Sequence, residues 1–469
     1  MRAPRQYELV ALIPIAAGLL WLLAGQGFVY FLTSLVPGVL LVASGCSALF
    51  WPGEAKISQY MAFGAVLGVL LSPIAALPIG LSMAVLLALV SAATFLCAGR
   101  IAIAYAEPSE APAPPADNSI YAKAALDEAL VGYFVTVAQV PSGALAERMC
   151  RDVTRLEQIL EARNAFVDPS VLHLAPAAPE ESQLIPARGV GLNYQRLSYA
   201  SAFVADPELP GSELWAGYSG NQKSVASLFR HAESGRPWLL CIHGYRMGTP
   251  MLDLRLFPPA LLHQRYKLNL LMPTLPLHGP RRCGLQSGDR FLDGNLLDLL
   301  LAEMQTLWDL RRAVAWIRSV DPGARIGVLG YSLGGYNAAL LATHEPGLDF
   351  VVAGIPVCDL ASALWGHIPA QNRRYFAAQG LDQDRYRRLL HPVSPEALAP
   401  KLAAERLHIF AGTADRIVPP LHPLRLARHW QRPVQWYAGG HLTFRGERVV
   451  TRCLEDAMNG AGWSLAGSA

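Results

Sequence analysis

Residues 325–343 read RIGVLGYSLGGYNAALLAT, and this stretch determines how the rest of the chain is interpreted. The apolar run Ile326–Leu329 predicts a short buried strand, and the Ala/Leu-rich run from about Gly334 predicts a helix. Between them, residues 330–334 form the pattern G-x-S-x-G. A serine on such a sharp strand-to-helix turn has a strained backbone, and side chains two residues to either side would collide. The pattern therefore predicts an exposed Ser332 hydroxyl beside N–H groups that favour negative charge.

Apolar runs and helical patterns alternate on both sides of this turn. Strands are predicted at Trp238–Ile242, Asn269–Met272, Phe350–Val357, Leu407–Ala411 and Val434–Tyr437, and helices at Leu296–Ser319, Leu421–Trp430 and Gly446–Met458. Less regular patterns predict strands at Tyr194–Phe203 and Ser212–Tyr218, a helix at Ser224–His231 and a loop over 167–192. Alternation of this kind predicts an α/β domain with a mostly parallel sheet, helices on both faces, and ligands at the carboxyl ends of the strands.

Four short motifs in this region resemble those of the alpha/beta-hydrolase family, over about residues 190–465. They are His243-Gly244, GYSLGG at 330–335, GTADRIVP at 412–419 and GGH at 439–441. Their order along the chain, serine then acid then histidine, is the order of that family. The resemblance implies an alpha/beta-hydrolase catalytic domain over 193–469, and the aromatic and basic stretch at about 361–404 fits a cap-like insertion.

The resemblance implies a catalytic triad of Ser332, Asp415 and His441. A serine hydroxyl is a weak nucleophile, so it needs a base such as His441 within about 2.6–3.2 Å. The acid would orient the imidazole and stabilise its charged form. Asp359, just after the predicted strand that ends at Val357, is the rival acid, but the longer match around Asp415 favours Asp415.

Donors for a developing oxyanion are implied at the backbone N–H groups of Leu333 and Tyr245. The segment His243-Gly244-Tyr245-Arg246 departs from the H-G-G-G form of some lipases, which leaves the second donor open. Four further residues are candidates for lining the substrate pocket: His243, Gly244, Tyr331 and His278. For both histidines a structural role is the favoured interpretation.

Composition excludes several other classes of function. The 39 basic and 36 acidic side chains give a net charge of only +3, which does not suggest a nucleic-acid partner. The seven cysteines are scattered without a C-x-x-C pair, and no metal constellation or phosphate-binding loop is recognisable, so neither metal nor cofactor is expected. Arginines at 281, 282, 373, 374, 385, 387 and 388 form either a solvated face or groups that meet phosphate head groups, and the solvated face is favoured.

The first 104 residues predict a membrane region of about four spans. Apolar stretches at Leu9–Ala24, Phe28–Trp51, Tyr60–Leu77 and Ile79–Ile103 are each close to the ~20 residues that cross a bilayer. The only charged residues before position 105 are Arg2, Arg5, Glu8, Glu54, Lys56 and Arg100. With four spans, all four basic residues fall on one side, which the positive-inside rule assigns to the cytoplasm.

The segments between these two regions are less regular. The Pro/Ala-rich residues 105–118 predict an extended linker, and a helical connecting region follows over 119–192, with helical patterns at Ser119–Val140 and Ser142–Phe166. A multi-pass protein of the inner membrane with a cytoplasmic catalytic domain is therefore expected.

The expected activity is that of a membrane-anchored serine hydrolase that cleaves carboxylic esters through an acyl-enzyme. Its expected partners are a small-molecule or lipid ester and the bilayer. A serine peptidase or an acyltransferase on the same fold stays open as an alternative, as does a non-catalytic binding module. The sequence leaves the acyl length, the lid geometry and the oligomeric state undetermined.

Overall fold

The computed structural model describes residues 8–51 and 53–463 of the 469-residue chain. Arg2 and Arg5, on which part of the topology argument rests, lie outside the described residues, as do Pro52 and residues 464–469. The chain divides into two compact units. The first comprises the chain up to Val137 together with Gly412–Leu421 and Trp436–Glu447. The second comprises Ala138–Ala411, His422–Gln435 and the chain from Arg448 onward.

Four apolar helices begin the first unit. They are α1 (Glu8–Leu23), α2 (Phe28–Phe50), α3 (Ala55–Ile79) and α4 (Leu81–Ala104). Three of the described helices, α2, α3 and α4, are long and apolar enough to cross a membrane, whereas the apolar part of α1 covers only Val10–Leu23. The expectation of about four spans is therefore supported for three helices, because α1 is shorter than the ~20 residues that a perpendicular span needs.

Small residues let these helices approach one another closely. A Cβ atom on Gly18 of α1 would lie 2.6 Å from the backbone nitrogen of Val42 in α2, so only glycine fits there. The indole N–H of Trp21 donates to the hydroxyl of Ser91 in α4 over 2.9 Å. Close backbone approach and interhelical hydrogen bonds are the interactions that stabilise helices packed in an apolar solvent.

A fifth helix of this unit, α5 (Asn118–Val137), packs against α3 and α4. Gly99 of α4 has no room for a side chain because a Cβ atom there would overlap the carbonyl of Tyr121 in α5. Gly132 of α5 approaches α3 in the same way, since its Cβ would lie 2.8 Å from the Gln59 carbonyl. Helix α5 is thus joined to the apolar helices through backbone-to-backbone contact, which fixes its position closely.

The second unit contains most of a nine-stranded sheet. In chain order its elements are α6 (Gly143–Ala162), β1 (Gln183–Gly189), β2 (Leu192–Ala200), α7 (Ser212–Ala216), β3 (Lys223–Phe229), β4 (Trp238–Ile242), α8 (Pro250–Leu256), β5 (Asn269–Pro273), α9 (Leu296–Val320), β6 (Ile326–Tyr331), α10 (Leu333–His344), β7 (Phe350–Gly354), α11 (Leu360–Trp365), α12 (Ala370–Ala378), α13 (Gln383–Leu389), β8 (Leu407–Gly412), α14 (Leu421–Trp430), β9 (Val434–Tyr437) and α15 (Arg448–Gly460).

The strand order is β1-β2-β3-β5-β4-β6-β7-β8-β9. Strands β5, β4, β6, β7 and β8 pair in parallel, while β1, β2 and β3 form an antiparallel edge. Every residue of β4, β6 and β7 is buried, as expected for parallel strands covered on both faces. The predicted fold class, an alpha/beta-hydrolase fold preceded by an apolar helical region, is confirmed.

Three predictions on the antiparallel side were wrong. Residues 224–231 were expected to be helical, but all except the last two belong to β3, where Ser224, Ala226 and Leu228 alternate inward between two antiparallel neighbours. Residues 212–218 were expected to form a strand but contain the helix α7, anchored by the Trp215 indole, which donates to Gln305 over 2.8 Å. Part of the expected loop over 167–192 is strand β1, an exposed edge held by its pairing with β2.

Candidate active site

The serine turn lies in the second unit, between β6 and α10. Ser332 has φ of 58° and ψ of −117°, a conformation that side-chain-bearing residues rarely adopt. The turn is held by its own backbone, because the Ser332 N–H donates to the Gly354 carbonyl over 2.9 Å. A Cβ atom on Gly330 would overlap the Gly334 carbonyl, and one on Gly334 would overlap the Ile242 carbonyl. Both glycines of the G-x-S-x-G pattern are therefore required sterically.

The loop after β4 approaches this turn closely. A Cβ atom on Gly244 would lie 3.4 Å from the Tyr331 carbonyl oxygen and 3.5 Å from the Cβ atom of Ser332. Leu333, the first residue of α10, is buried directly after the serine. The predicted oxyanion segment therefore begins beside the serine, and its backbone continues into Tyr245. N–H groups at the start of a helix favour negative charge at this position.

The two histidines of this loop region are buried and engaged with backbone. His243 Nε2 accepts from the Leu275 N–H over 3.1 Å, and its Nδ1 lies 2.8 Å from the Gly244 carbonyl oxygen, so that nitrogen carries the proton. His278 is fully buried, with its ring centroid 5.1 Å from that of His243. Burial lowers the pKa of both imidazoles, that of His278 well below its usual range. These contacts favour a structural role for both rings, as the sequence suggested.

Tyr331, the remaining pocket candidate, packs among other aromatic rings. Its ring stacks on Phe257 with centroids 5.1 Å apart and meets the edge of Phe410 at 5.9 Å. The side chain is therefore held in the core beside the serine turn.

The acid and the histidine meet in the first unit. The Nδ1 atom of His441 lies 2.7 Å from Oδ2 of Asp415, and both side chains are buried. The other carboxylate oxygen of Asp415 accepts the N–H groups of Ile417 and Val418 over 3.0 and 2.7 Å. Because the carboxylate is held by its own loop, it presents one oxygen to the imidazole and fixes the proton on Nδ1, which leaves Nε2 as the basic nitrogen.

The charge of Asp415 also determines how readily His441 takes up a proton. Burial alone would lower the pKa of this imidazole, but the neighbouring carboxylates, Asp415 above all, raise it above its usual value. An imidazolium formed during a reaction would thus be stabilised at the position where it forms.

A further acid, which the sequence did not single out, contacts the same two loops. Asp127 of α5 accepts the backbone N–H groups of His441 and Leu442 over 2.6 and 3.1 Å, and that of Arg416 over 3.1 Å. The one available signal was the adjacent pair Asp127-Glu128 in a helix with a single other charged residue, Lys123, since buried acids need partners.

Comparison with known proteins places these features in a family. Residues 303–442, which include the serine turn and the acid and histidine loops, match the Prolyl oligopeptidase family. The uncharacterized protein Rv2627c of Mycobacterium tuberculosis is 34% identical over 361 residues, which cover 76% of this chain and 86% of that protein. The chain belongs to the alpha/beta-hydrolase family. The uncharacterized protein MT2702 from another strain of Mycobacterium tuberculosis matches with the same identity and coverage.

Solved structures similar to this alpha/beta-hydrolase include esterases and peptidases. Acetyl xylan esterase 1 from a Thermoanaerobacterium species is 14% identical with a TM-score of 0.42, and the match covers 69% of this chain and 96% of that one. The acylaminoacyl peptidase of Pyrococcus horikoshii is 13% identical with a TM-score of 0.35, and the match covers 62% of this chain and 42% of that one.

The rival acid of the hydrolase, Asp359, has other partners. Its Oδ2 atom accepts from the guanidinium groups of Arg387 and Arg425, each over 2.7 Å, and its Oδ1 atom caps α11 by accepting the Ser362 N–H. Burial would raise the pKa of the Asp359 carboxyl, but the hydrogen bond from Arg387 and the charge of that guanidinium lower the pKa below its usual value. This carboxylate thus joins α11, α13 and α14 within the second unit.

The basic group near Asp359 is mostly paired. Arg385 and Arg388 both bind Glu157 of α6, over 2.7 and 2.8 Å, and Arg387 also binds Asp384. These ion pairs agree with a solvated, self-neutralised face more than with a phosphate site. For Arg281 the expectation of a solvated face was wrong, because this side chain is buried and pairs with Asp309 over 2.6 Å. Among the described residues, no group of three or more His, Cys, Asp or Glu side chains is arranged to hold a metal ion.

Replacing each acid by its amide separates the two candidates. In Asp415→Asn the amide can no longer fix the Nδ1 proton of His441, so the reaction of Ser332 with a fluorophosphonate should slow by about 10²–10⁴-fold. In the matched variant Asp359→Asn the rate should stay within a few fold of wild type. The measurement is the labelling rate of each purified, folded variant. Equal losses in both, or a loss confined to Asp359→Asn, would contradict the assignment.

Proposed function

We propose that the protein is a membrane-anchored serine hydrolase that cleaves carboxylic esters, with Ser332 as nucleophile, His441 as base and Asp415 as acid. The observation that carries the proposal is the 2.7 Å hydrogen bond between His441 Nδ1 and Asp415 Oδ2, because it gives an alpha/beta-hydrolase an oriented base. The strained Ser332 turn supports the same conclusion, since such strain persists at sites where a side chain must be presented.

The proposed reaction has two steps. His441 takes the Ser332 hydroxyl proton as the serine oxygen attacks the ester carbonyl, and it then gives that proton to the departing alcohol, which leaves an acyl-enzyme. In the second step the same imidazole activates water, whose attack releases the acid and restores the serine. The N–H groups of Leu333 and Tyr245 are the proposed donors to the oxyanion of both tetrahedral intermediates.

The apolar helices support a membrane location. Lys56 stands at the start of α3 and Arg100 near the end of α4, and the two helices are joined by a turn at Gly80. Both basic residues therefore lie at the same end of the helix pair, which the positive-inside rule assigns to the cytoplasm. We infer that the catalytic domain, which follows α4, is also cytoplasmic, and that the inner membrane brings the enzyme to acyl-lipid esters.

A serine peptidase is the second candidate. It is favoured by the match of residues 303–442 to the Prolyl oligopeptidase family. The chemistry of acyl transfer to Ser332 would be the same, and the leaving group would be an amine in place of an alcohol.

Labelling with a fluorophosphonate tests the nucleophile. The full-length protein in detergent should form a stoichiometric adduct at Ser332, because the probe reacts with serines that an imidazole activates. Ser332→Ala should give no adduct, while Ser319→Ala, which alters a serine at the end of α9, should label as wild type. Absence of labelling in correctly folded wild type would favour a binding module.

The acyl-length dependence tests the substrate class. Over p-nitrophenyl esters from acetyl to palmitoyl, kcat/KM should rise with chain length until the acyl pocket is filled, since each buried CH₂ contributes about 0.8 kcal/mol. Peptide p-nitroanilides serve as the comparison. A preference for acetyl esters would contradict acyl-lipid substrates, and faster cleavage of the anilides would establish the peptidase.

Reporter fusions test the topology. Alkaline phosphatase, which is active only outside the cytoplasm, should be inactive when fused after residue 110, whereas green fluorescent protein at that position should fluoresce. The expectation follows from the positions of Lys56 and Arg100. An active phosphatase with a dark fluorescent fusion would contradict the cytoplasmic assignment.

A further inference from the structure

Helix α5 contacts the histidine loop, residues 438–447, through one buried carboxylate. Oδ2 of Asp127 accepts the N–H of His441 over 2.6 Å and Oδ1 accepts that of Leu442 over 3.1 Å. Oδ2 also accepts the N–H of Arg416, the residue after the acid Asp415, over 3.1 Å. Three backbone donors from two loops therefore converge on a side chain with an exposed fraction of 0%. Three hydrogen bonds to one side chain hold both loops, and each bond is strengthened by charge when the carboxylate is ionised.

The backbone of the histidine loop lies directly against α5 at Gly440. A Cβ atom on Gly440 would lie 2.6 Å from Oδ2 of Asp127 and 2.9 Å from the Lys123 carbonyl oxygen. Glycine at this position therefore allows the backbone immediately before His441 to lie directly on α5. The glycine of the GGH motif thus has a packing requirement in addition to any flexibility that it gives the loop.

Two neighbours of Asp127 on α5 extend the connection. Lys123, one turn earlier, donates to the Ala438 carbonyl over 3.0 Å and to Glu447 over 3.1 Å, so it joins the two ends of the histidine loop. Glu128 accepts from the Arg416 guanidinium over 2.9 Å and from the Ser58 hydroxyl of α3 over 3.2 Å. Helix α5 therefore connects the apolar helices to both loops within the first unit.

The charges around Asp127 couple it to the histidine electrostatically. Burial first, and the Asp415 carboxylate second, raise the pKa of Asp127 to about 7, while His441 and the N–H donors oppose that rise. In return, the charge of Asp127 adds to that of Asp415 in raising the pKa of His441. The other charged groups that face this cluster are Lys123 with its partner Glu447, and Glu128 with its partner Arg416.

We propose that Asp127 is a positioning residue for His441, and that α5 thereby makes the membrane region part of the catalytic machinery. The inference rests on the proposed serine hydrolase function. In this arrangement the base is fixed by two carboxylates: Asp415 holds the imidazole ring and Asp127 holds the backbone that carries it. The apolar helices then do more than anchor the enzyme, because their packing against α5 determines where the histidine loop lies.

If the Asp127 carboxylate only stabilised the fold, its loss would lower the rate of every reaction step equally and at every pH. A positioning residue with a charge beside the base has two further consequences. Its loss lowers kcat with little effect on KM for a small ester, because a displaced base impairs the chemical step more than binding. Its loss also lowers the pKa of His441, so the acidic limb of the pH–rate profile moves to lower pH.

The test compares Asp127→Asn with Asp152→Asn in the full-length protein in detergent. Asp152 forms a surface ion pair with Arg148 on α6 over 3.5 Å, so its amide variant controls for loss of one carboxylate. The Asn side chain in Asp127→Asn has one acceptor oxygen, whereas the three backbone N–H donors bind both oxygens of the wild-type carboxylate. We expect kcat for p-nitrophenyl butyrate to fall about 10–100-fold with KM within twofold. The acidic limb should move to lower pH, and Asp152→Asn should match wild type.

Several outcomes would overturn the inference. Unchanged kcat in folded Asp127→Asn would do so, as would a reduced kcat whose acidic limb stays in place. If that variant does not fold, Lys123→Met decides, because Lys123 is partly exposed and its loss releases only the ends of the loop. It should lower kcat severalfold, and wild-type kinetics would contradict the proposal. Failure of the proposed hydrolase function can be distinguished from failure of this inference. If the protein were not a serine hydrolase, wild type and Asp152→Asn would also lack Ser332-dependent fluorophosphonate labelling.

Discussion

The position of His441 depends on two carboxylates outside its own loop, and this constraint connects three segments of the first unit. His441 follows a strand of only four residues and two glycines, and it begins a short 3-10 helix, His441–Gly446, in which Thr443 accepts the Gly440 N–H over 3.1 Å. Its position comes from partners outside the loop, namely Asp415 at the imidazole and Asp127 at the backbone. Each buried N–H that meets a carboxylate avoids the cost of an unsatisfied donor. The same contacts connect the acid and histidine loops to α5 within the first unit.

The parallel half of the fold could be predicted from the sequence because its physical signals are strong. Strands such as β4 and β6 are short, mostly apolar and followed by polar residues, and the long helix α9 is rich in leucine and alanine. Most of the antiparallel half could not, although the pattern at Tyr194–Phe203 did predict β2. Strand β3 and helix α7 have mixed sequences whose conformation is decided by neighbours such as β2 and Gln305. Strand β1 is mostly exposed, so no alternation of polarity marks it.

The residues of the candidate site also differ in whether the sequence could predict them. Ser332, Asp415 and His441 stand in motifs whose glycines and spacing have a local steric meaning, so one sequence suffices to suggest them. Asp127 stands in no motif. Its partners are contributed by segments near the other end of the chain, and their approach depends on how α5 packs on α3 and α4. Sequence could indicate only that two adjacent acids in a mostly apolar helix need partners if they are buried, without identifying those partners.

The most direct test of this account is amide hydrogen exchange in the full-length protein, comparing wild type with Asp127→Asn. The account predicts that residues 438–447 and 413–418 exchange slowly in wild type and markedly faster in the variant, while β4 and β6 keep their protection. Unchanged exchange in both loops would contradict the claim that α5 holds the histidine. Equally faster exchange throughout the chain would also contradict it, because the carboxylate would then stabilise the whole fold.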